Sequence, residues 1–264
     1  MLVDLHVQSK NSAGSGLDAL EAIERAATLG LDGICMIERD GLVGTDELRS
    51  LREEAKVAVF AGMLAATDHG NFLCFFPDPS EVDVERLLGE GPASSRRARE
   101  VVDAALAQGG AVIASAPYDR ELEKPMGDYL LTLREISAVE GFVGTQRANV
   151  NELAIEAASH LAVPCVGGSG ASRDLDEIGT AATLFREVFR DEAGLVAALK
   201  GGAVWPVVIG TPPRFHGDEV VMRAPPGSGV AGDDRRDGRR DGRRDGRRGG
   251  SRRRGGGHRR PKER

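Results

Sequence analysis

No run of about 18 apolar residues occurs anywhere in this 264-residue chain, and no basic segment followed by an apolar stretch opens it. That pattern argues against a membrane-spanning helix and against a secretory leader. Cysteine is scarce as well: Cys35, Cys74 and Cys165 lie in separate apolar runs. Their placement excludes a disulfide framework and points to buried thiols in a reducing compartment, so a cytoplasmic location is expected. What is present suffices without staples. A chain of this length can hold one domain of about 200 to 250 residues, burying roughly 70 to 75% of the surface its unfolded form exposes.

The net charge of -6 conceals two opposite parts. Residues 231–264 hold fifteen Lys and Arg against six Asp and Glu, a net of +9, which leaves -15 on residues 1–230. The body is acidic and the tail basic.

Along the body, short apolar runs alternate with amphipathic segments, the order expected of β/α units. The runs predict strands over 2–7, 33–37, 57–62, 72–76, 111–114, 138–142, 164–167 and 203–208. Helical spacing predicts helices over 17–29, 45–55, 93–108, 149–161 and 193–200, several closed by glycines at 30, 109–110 and 201–202. This repetition favours a barrel-like α/β domain over residues 1–222. Asp68-His69-Gly70 reads as a hairpin turn, so its carboxylate and imidazole reflect turn chemistry rather than catalysis. His160 and His216 have no spaced partners and are assigned no function.

After Met222 the grammar changes. Residues 224–229, Ala-Pro-Pro-Gly-Ser-Gly, read as a linker, and an Arg-Arg-Asp-Gly unit then repeats through Gly246. With almost nothing apolar to bury, residues 223–264 are expected to be disordered. Their guanidinium groups, Arg235, Arg236, Arg239, Arg240, Arg243, Arg244, Arg247, Arg248, Arg252, Arg253 and Arg254, suit RNA or another polyanion. Such groups neutralise backbone phosphates and release counterions with little sequence discrimination. Aspartates at 237, 241 and 245 weaken that reading, and the tail has no aromatic for base stacking. The competing reading is a tail that pairs with the acidic body of its own molecule.

The ordered motifs of the body resemble the polymerase and histidinol phosphatase (PHP) family of metal-dependent phosphoesterases over nearly all of residues 1–210. Asp4-Leu5-His6-Val7-Gln8-Ser9 stands where the family has Asp-Leu-His-x-His-Ser, with Gln8 for the second histidine. Ile37-Glu38-Arg39-Asp40 occupies the family's Thr-Asp-His-Asp: Asp40 matches, Glu38 keeps a carboxylate, and Arg39 replaces a histidine. Further on, Leu64 replaces the metal-bridging acid of Gly-x-Glu, and Asn71 lies where a histidine often follows glycine. Ala116 stands in for the histidine of Ala-His-Pro-Tyr, and Val143 for the asparagine of Glu-x-x-Asn after Glu140. Gly170 and Ser172 take both ligand positions of Gly-Ser-Asp-Ala-His.

The resemblance implies a distorted TIM-like (β/α)7 barrel with two or three divalent cations that activate water and neutralise phosphate. Here the remnant ligand positions are His6, Glu38 and Asp40, fewer than the clustered donors such a centre needs. Arg39 would set a permanent positive charge beside any incoming cation. The expectation is a catalytically inactive PHP-type scaffold without cofactor, whose tail engages RNA or a protein complex. A fold-level parallel is the PHP-like protein subunit of archaeal and eukaryotic ribonuclease P. The alternative is a phosphoesterase with a reduced site, using Mn2+ or Zn2+ held by His6, Glu38, Asp40 and Asp4. Arg39 has two readings of its own: a bidentate anion site, including one for a phosphorylated metabolite, or an ion pair with Glu38, Asp40 or Asp4. The glycines from 167 to 170 are read as serving a strand-to-helix turn rather than cupping an anion, and no serine shows a certifiable partnership with His and Asp.

Overall fold

The computed structural model describes residues 1–12 and 14–209. The expected domain end at 222, the linker and the arginine tail lie outside the described residues, as does His216.

Nine strands form one sheet: β1 (Leu2–Gln8), β2 (Gly33–Arg39), β3 (Ala58–Thr67), β4 (Gly70–Phe75), β5 (Ala111–Ser115), β6 (Ala138–Val143), β7 (Cys165–Gly168), β8 (Ala181–Phe185) and β9 (Val204–Val208). Their order is β7-β6-β5-β4-β3-β2-β1-β8-β9. Parallel pairing joins β1 to β2 to β3 and β5 to β6 to β7, whereas β4, β8 and β9 run antiparallel to their neighbours. The sheet curls into a nearly closed barrel. Gln8 N donates to Ala171 O at 2.9 Å, and the Thr183 hydroxyl both accepts from Gly167 N (2.8 Å) and donates to Gly167 O (2.7 Å). One side chain thus stands in for a rung of the ladder between β7 and β8.

Six helices are present among the described residues: α1 (Ala19–Thr28), α2 (Thr45–Glu54), α3 (Val84–Leu88), α4 (Ala98–Ala107), α5 (Ala148–Leu161) and α6 (Glu192–Gly201). Asp18 caps α1 by accepting from Leu20 N at 3.0 Å, and Gly30 turns the chain out of that helix at φ 78°. α1 and α2 bury Ala22, Ile23 and Leu48 against Ile34, Met36 and Val59 on the outside of the sheet. α4 and α5 do the same over Phe72, Val112 and Val139. α6 instead joins the interior, where Leu195, Val196 and Leu199 pack with Leu5, Ile37, Phe60, Phe75 and Phe185. Cys35 and Cys74 are fully buried in these clusters and Cys165 is half-buried, all as free thiols; burial pushes the Cys74 thiol up to about 12.

Three features depart from the sequence reading. β8 was not foreseen, because Ala181-Ala182-Thr183-Leu184-Phe185 is short and alanine-rich and sits among charged residues. The expected helix over 93–108 divides into a 3-10 turn, Ala93–Ser95, and α4. The β3–β4 turn imposes that break: Asp68 N donates to Arg96 O (2.9 Å), and Asp68 Oδ1 accepts from Ala98 N (2.9 Å). Finally, α3 and a 3-10 turn at Pro79–Glu81 occupy the stretch after β4 that carried no clear sequence pattern.

Candidate functional site

Asp4 and His6 lie on β1, Glu38 and Arg39 end β2, and Asp40 follows it. The pairing of β1 with β2 shifts register between Asp4 and Val7, and this irregularity turns His6 toward β6. Asp4 is fully buried and accepts three backbone N–H groups: Ser169 (2.8 Å) and His6 (3.1 Å) on Oδ1, and Gly179 (3.1 Å) on Oδ2. Burial pushes its carboxyl above the ordinary value, against the opposing pull of those amides. The first acid of the motif therefore ties β1 to the segments after β7 and before β8.

His6 is 6% exposed, with Nδ1 2.8 Å from Glu140 Oε1, and the other oxygen of Glu140 accepts from Ser115 Oγ at 2.6 Å. Burial alone would lower the imidazole's pKa. Attraction and hydrogen bonding to Glu140 outweigh it, so His6 titrates above its ordinary value. The ring's second nitrogen lies 3.4 Å from Gln8 Nε2, and the Gln8 carbonyl oxygen accepts from Ser12 Oγ at 3.3 Å. Serine, glutamate and histidine thus line up, but not in the order of a nucleophile relay. Ser115 donates to the Glu140 carboxylate rather than to the imidazole, so His6 is not placed to take its proton. Gly168 makes the close approach possible, since a Cβ there would sit 2.7 Å from His6 Cβ and 2.9 Å from His6 N.

On β2, Glu38 accepts from Ser9 Oγ at 2.8 Å, and burial, partly opposed by that bond, raises its pKa. Asp40 takes a left-handed backbone at φ 54°, accepts from Ala66 N at 3.0 Å and pairs with Arg96 Nη1 at 2.7 Å, close but off the alignment of a hydrogen bond. Arg39 shares its strand face with Cys35 and Ile37, which face the interior, and its half-buried side chain enters the field of His6. Its backbone N–H donates to Ser12 Oγ at 2.9 Å. The expected ion pair with Glu38, Asp40 or Asp4 does not form. Among the described residues Arg39 has no carboxylate within ion-pair distance, because Arg96, 56 positions away in sequence, has taken Asp40. Neither Arg96 nor Glu140 was identified as a partner from sequence. For Glu140 the available signal was a lone acid in an otherwise apolar strand; for Arg96 local spacing carried none.

The remaining motif positions are structural. Leu64 is 2% exposed in the interior, and Ala116 ends β5 at φ 45°. Gly170 adopts φ 70°, with Thr145 and Val143 where a Cβ would point. Ser169 N and Gly168 O are already bonded to Asp4 and to Gly144 N, so the glycine run serves the turn. Asp68 and His69 form the β3–β4 turn, with the His69 ring stacked on Tyr129 at 4.0 Å, while His160 is exposed near the end of α5. No group of three His, Cys, Asp or Glu that could hold a metal ion occurs among the described residues. The donor set at this mouth, each acid already bonded to protein, does not fit a centre of two or three cations.

The described residues form an α/β barrel similar in fold to a solved PHP-like protein. Residues 148–204, spanning α5 to the start of β9, match the model of the PHP-associated family. PsfC from Pseudomonas syringae PB-5123 is similar with a TM-score of 0.57 at 21% identity, over 81% of this chain and 93% of that one. A two-domain protein from Bacteroides vulgatus ATCC 8482, containing a predicted PHP-like metal-dependent phosphoesterase, gives a TM-score of 0.59 at 16% identity; 79% of this chain covers 65% of that one. The lesion-specific endonuclease Q of Pyrococcus furiosus gives 0.53 at 15%, over 78% of this chain and 57% of the endonuclease. No curated protein matches. The family match covers residues 148–204 alone, and at these identities the solved structures speak for the fold. No described helix is long and apolar enough to cross a membrane.

Proposed function

We propose that this protein is a non-catalytic PHP-type barrel that acts as a scaffold, with its arginine-rich tail engaging RNA or another polyanion. The observation that carries the first half is the commitment of every surviving ligand-type side chain to a protein partner: Asp4 to three amides, His6 to Glu140, Glu38 to Ser9, and Asp40 to Arg96. A cation would have to displace the bonds of the carboxylates and sit beside the Arg39 guanidinium, which costs binding energy in a buried setting. The second half is supported by the tail's net charge of +9 and its spaced guanidinium pairs. Endonuclease Q, with a similar fold, is itself an enzyme of nucleic acid, a parallel in fold rather than in activity. Arg39, free of carboxylates among the described residues, is the candidate for an anion at the mouth.

The test is RNA binding by fluorescence anisotropy for the full chain and for a chain ending at Val230, across a salt series. The proposal predicts affinity that falls steeply with salt and disappears with the tail. Equal affinity in the shortened chain, or phosphoesterase activity with added Mn2+ that His6→Ala abolishes, would contradict it.

A further inference from the structure

Among the described residues the helices make their main strand contacts on β2 to β6; Leu2, Ala182 and Val207 pack against the α1 cluster, while Leu184 and Trp205 at the β8–β9 end of the sheet stay in solvent. Leu2 of β1 lies directly opposite Leu184 of β8, and Leu184 directly opposite Trp205 of β9, a row of three side chains across three strands. Leu184 is 41% exposed and Trp205 is 51% exposed. Arg186 N donates to Ala203 O at 3.2 Å, extending the ladder by one residue and placing Arg186 on the same face as Leu184, two positions along. Its side chain is 71% exposed and meets only Glu187, an exposed neighbour whose pairing is worth little in water. Trp205 is the only tryptophan in the chain.

We propose that this face is a stacking platform for single-stranded RNA, with a base on the Trp205 ring, Leu184 beside it, and Arg186 meeting the adjoining phosphate. The inference rests on the RNA reading above and supplies what the tail lacks, since no aromatic occurs in residues 223–264. An aromatic beside a guanidinium on an exposed sheet face offers both contacts single-stranded RNA requires: π-stacking on any base and charge neutralisation of the backbone. The same chain continues from β9 toward its arginine pairs, so one strand of RNA would be held by two unlike contacts.

The experiment titrates the full-length protein with a dye-labelled, mixed-sequence single-stranded RNA, reading dye anisotropy and Trp205 emission together. Binding is expected to quench Trp205. Trp205→Ala should weaken affinity about 5- to 100-fold without changing the salt dependence, whereas Trp205→Phe should keep most of it and Arg186→Ala should reduce the salt slope by about one. Circular dichroism checks that each variant is folded, and Trp205→Phe still reads the inference if Trp205→Ala is not. RNA that binds without altering Trp205 emission, or equally well to Trp205→Ala, overturns the platform and leaves the tail reading standing. No RNA binding at all overturns both. Emission already blue-shifted and shielded from acrylamide in the RNA-free protein means that protein covers the ring, and this too overturns the inference.

Discussion

The mouth of the barrel and the outer face of β8 and β9 use their side chains in opposite ways. At the mouth, Asp4, His6, Glu38 and Glu140 are buried and each is bonded to another part of the protein. On the outer face, Leu184 and Trp205 are exposed among the described residues. The contrast follows from the cost of burial. A charged group removed from water must find a partner or lose its charge, so residue types that resemble a catalytic set at the mouth are consumed in holding strands together. The outer face carries no such demand, since apolar side chains left in water need no partner.

The largest effect that could break this comparison lies in the buried pair. Glu140→Leu strands the His6 imidazole and the Ser115 hydroxyl, and should cost about 3–5 kcal/mol in chemical denaturation. A loss below about 1 kcal/mol would mean the pair is not structural. The milder Glu140→Gln gives the pH dependence. His6 titrates above its ordinary value of 6.5 in the folded state, so its contribution is complete below pH 6.5 and fades as pH rises through the elevated pKa. The wild type's advantage over Glu140→Gln should shrink on that rise, and an advantage that grows would reverse the assignment.

Gly168→Ala comes next, at about 1–3 kcal/mol, because its methyl would press on His6 Cβ and backbone N. Asp40→Ala should cost about 1–2 kcal/mol through loss of the Ala66 amide acceptor, the Arg96 pair and a residue type suited to a left-handed backbone. At the small end, Leu184→Ser on the outer face should change stability by less than about 0.5 kcal/mol. A loss as large as that of Gly168→Ala would show that the exposed row is packed in solution.

Much of the barrel was legible because its information is local. Eight of the nine strands and five of the six helices announced themselves by apolar runs and glycine stops near their observed positions. What escaped was set by distant contacts. β8 has little of a strand's own propensity and exists because β1 and β9 flank it, and the start of α4 is fixed by a turn 30 residues earlier at Asp68. At the site, the family resemblance singled out Asp4, His6, Glu38 and Asp40 as one set of positions. Their partners could not be read, since Glu140 lies 134 positions from His6 and a competitor for Asp40, Arg96, stands between Arg39 and the ion pair expected of it.

The most direct test of the central claim is the metal content per chain of tag-free, full-length protein after exposure to Mn2+ and Zn2+ and exhaustive dialysis. The account predicts less than about a tenth of an equivalent retained. One equivalent or more, lost in His6→Ala, would contradict it, because it would show that the second nitrogen of His6 holds a cation.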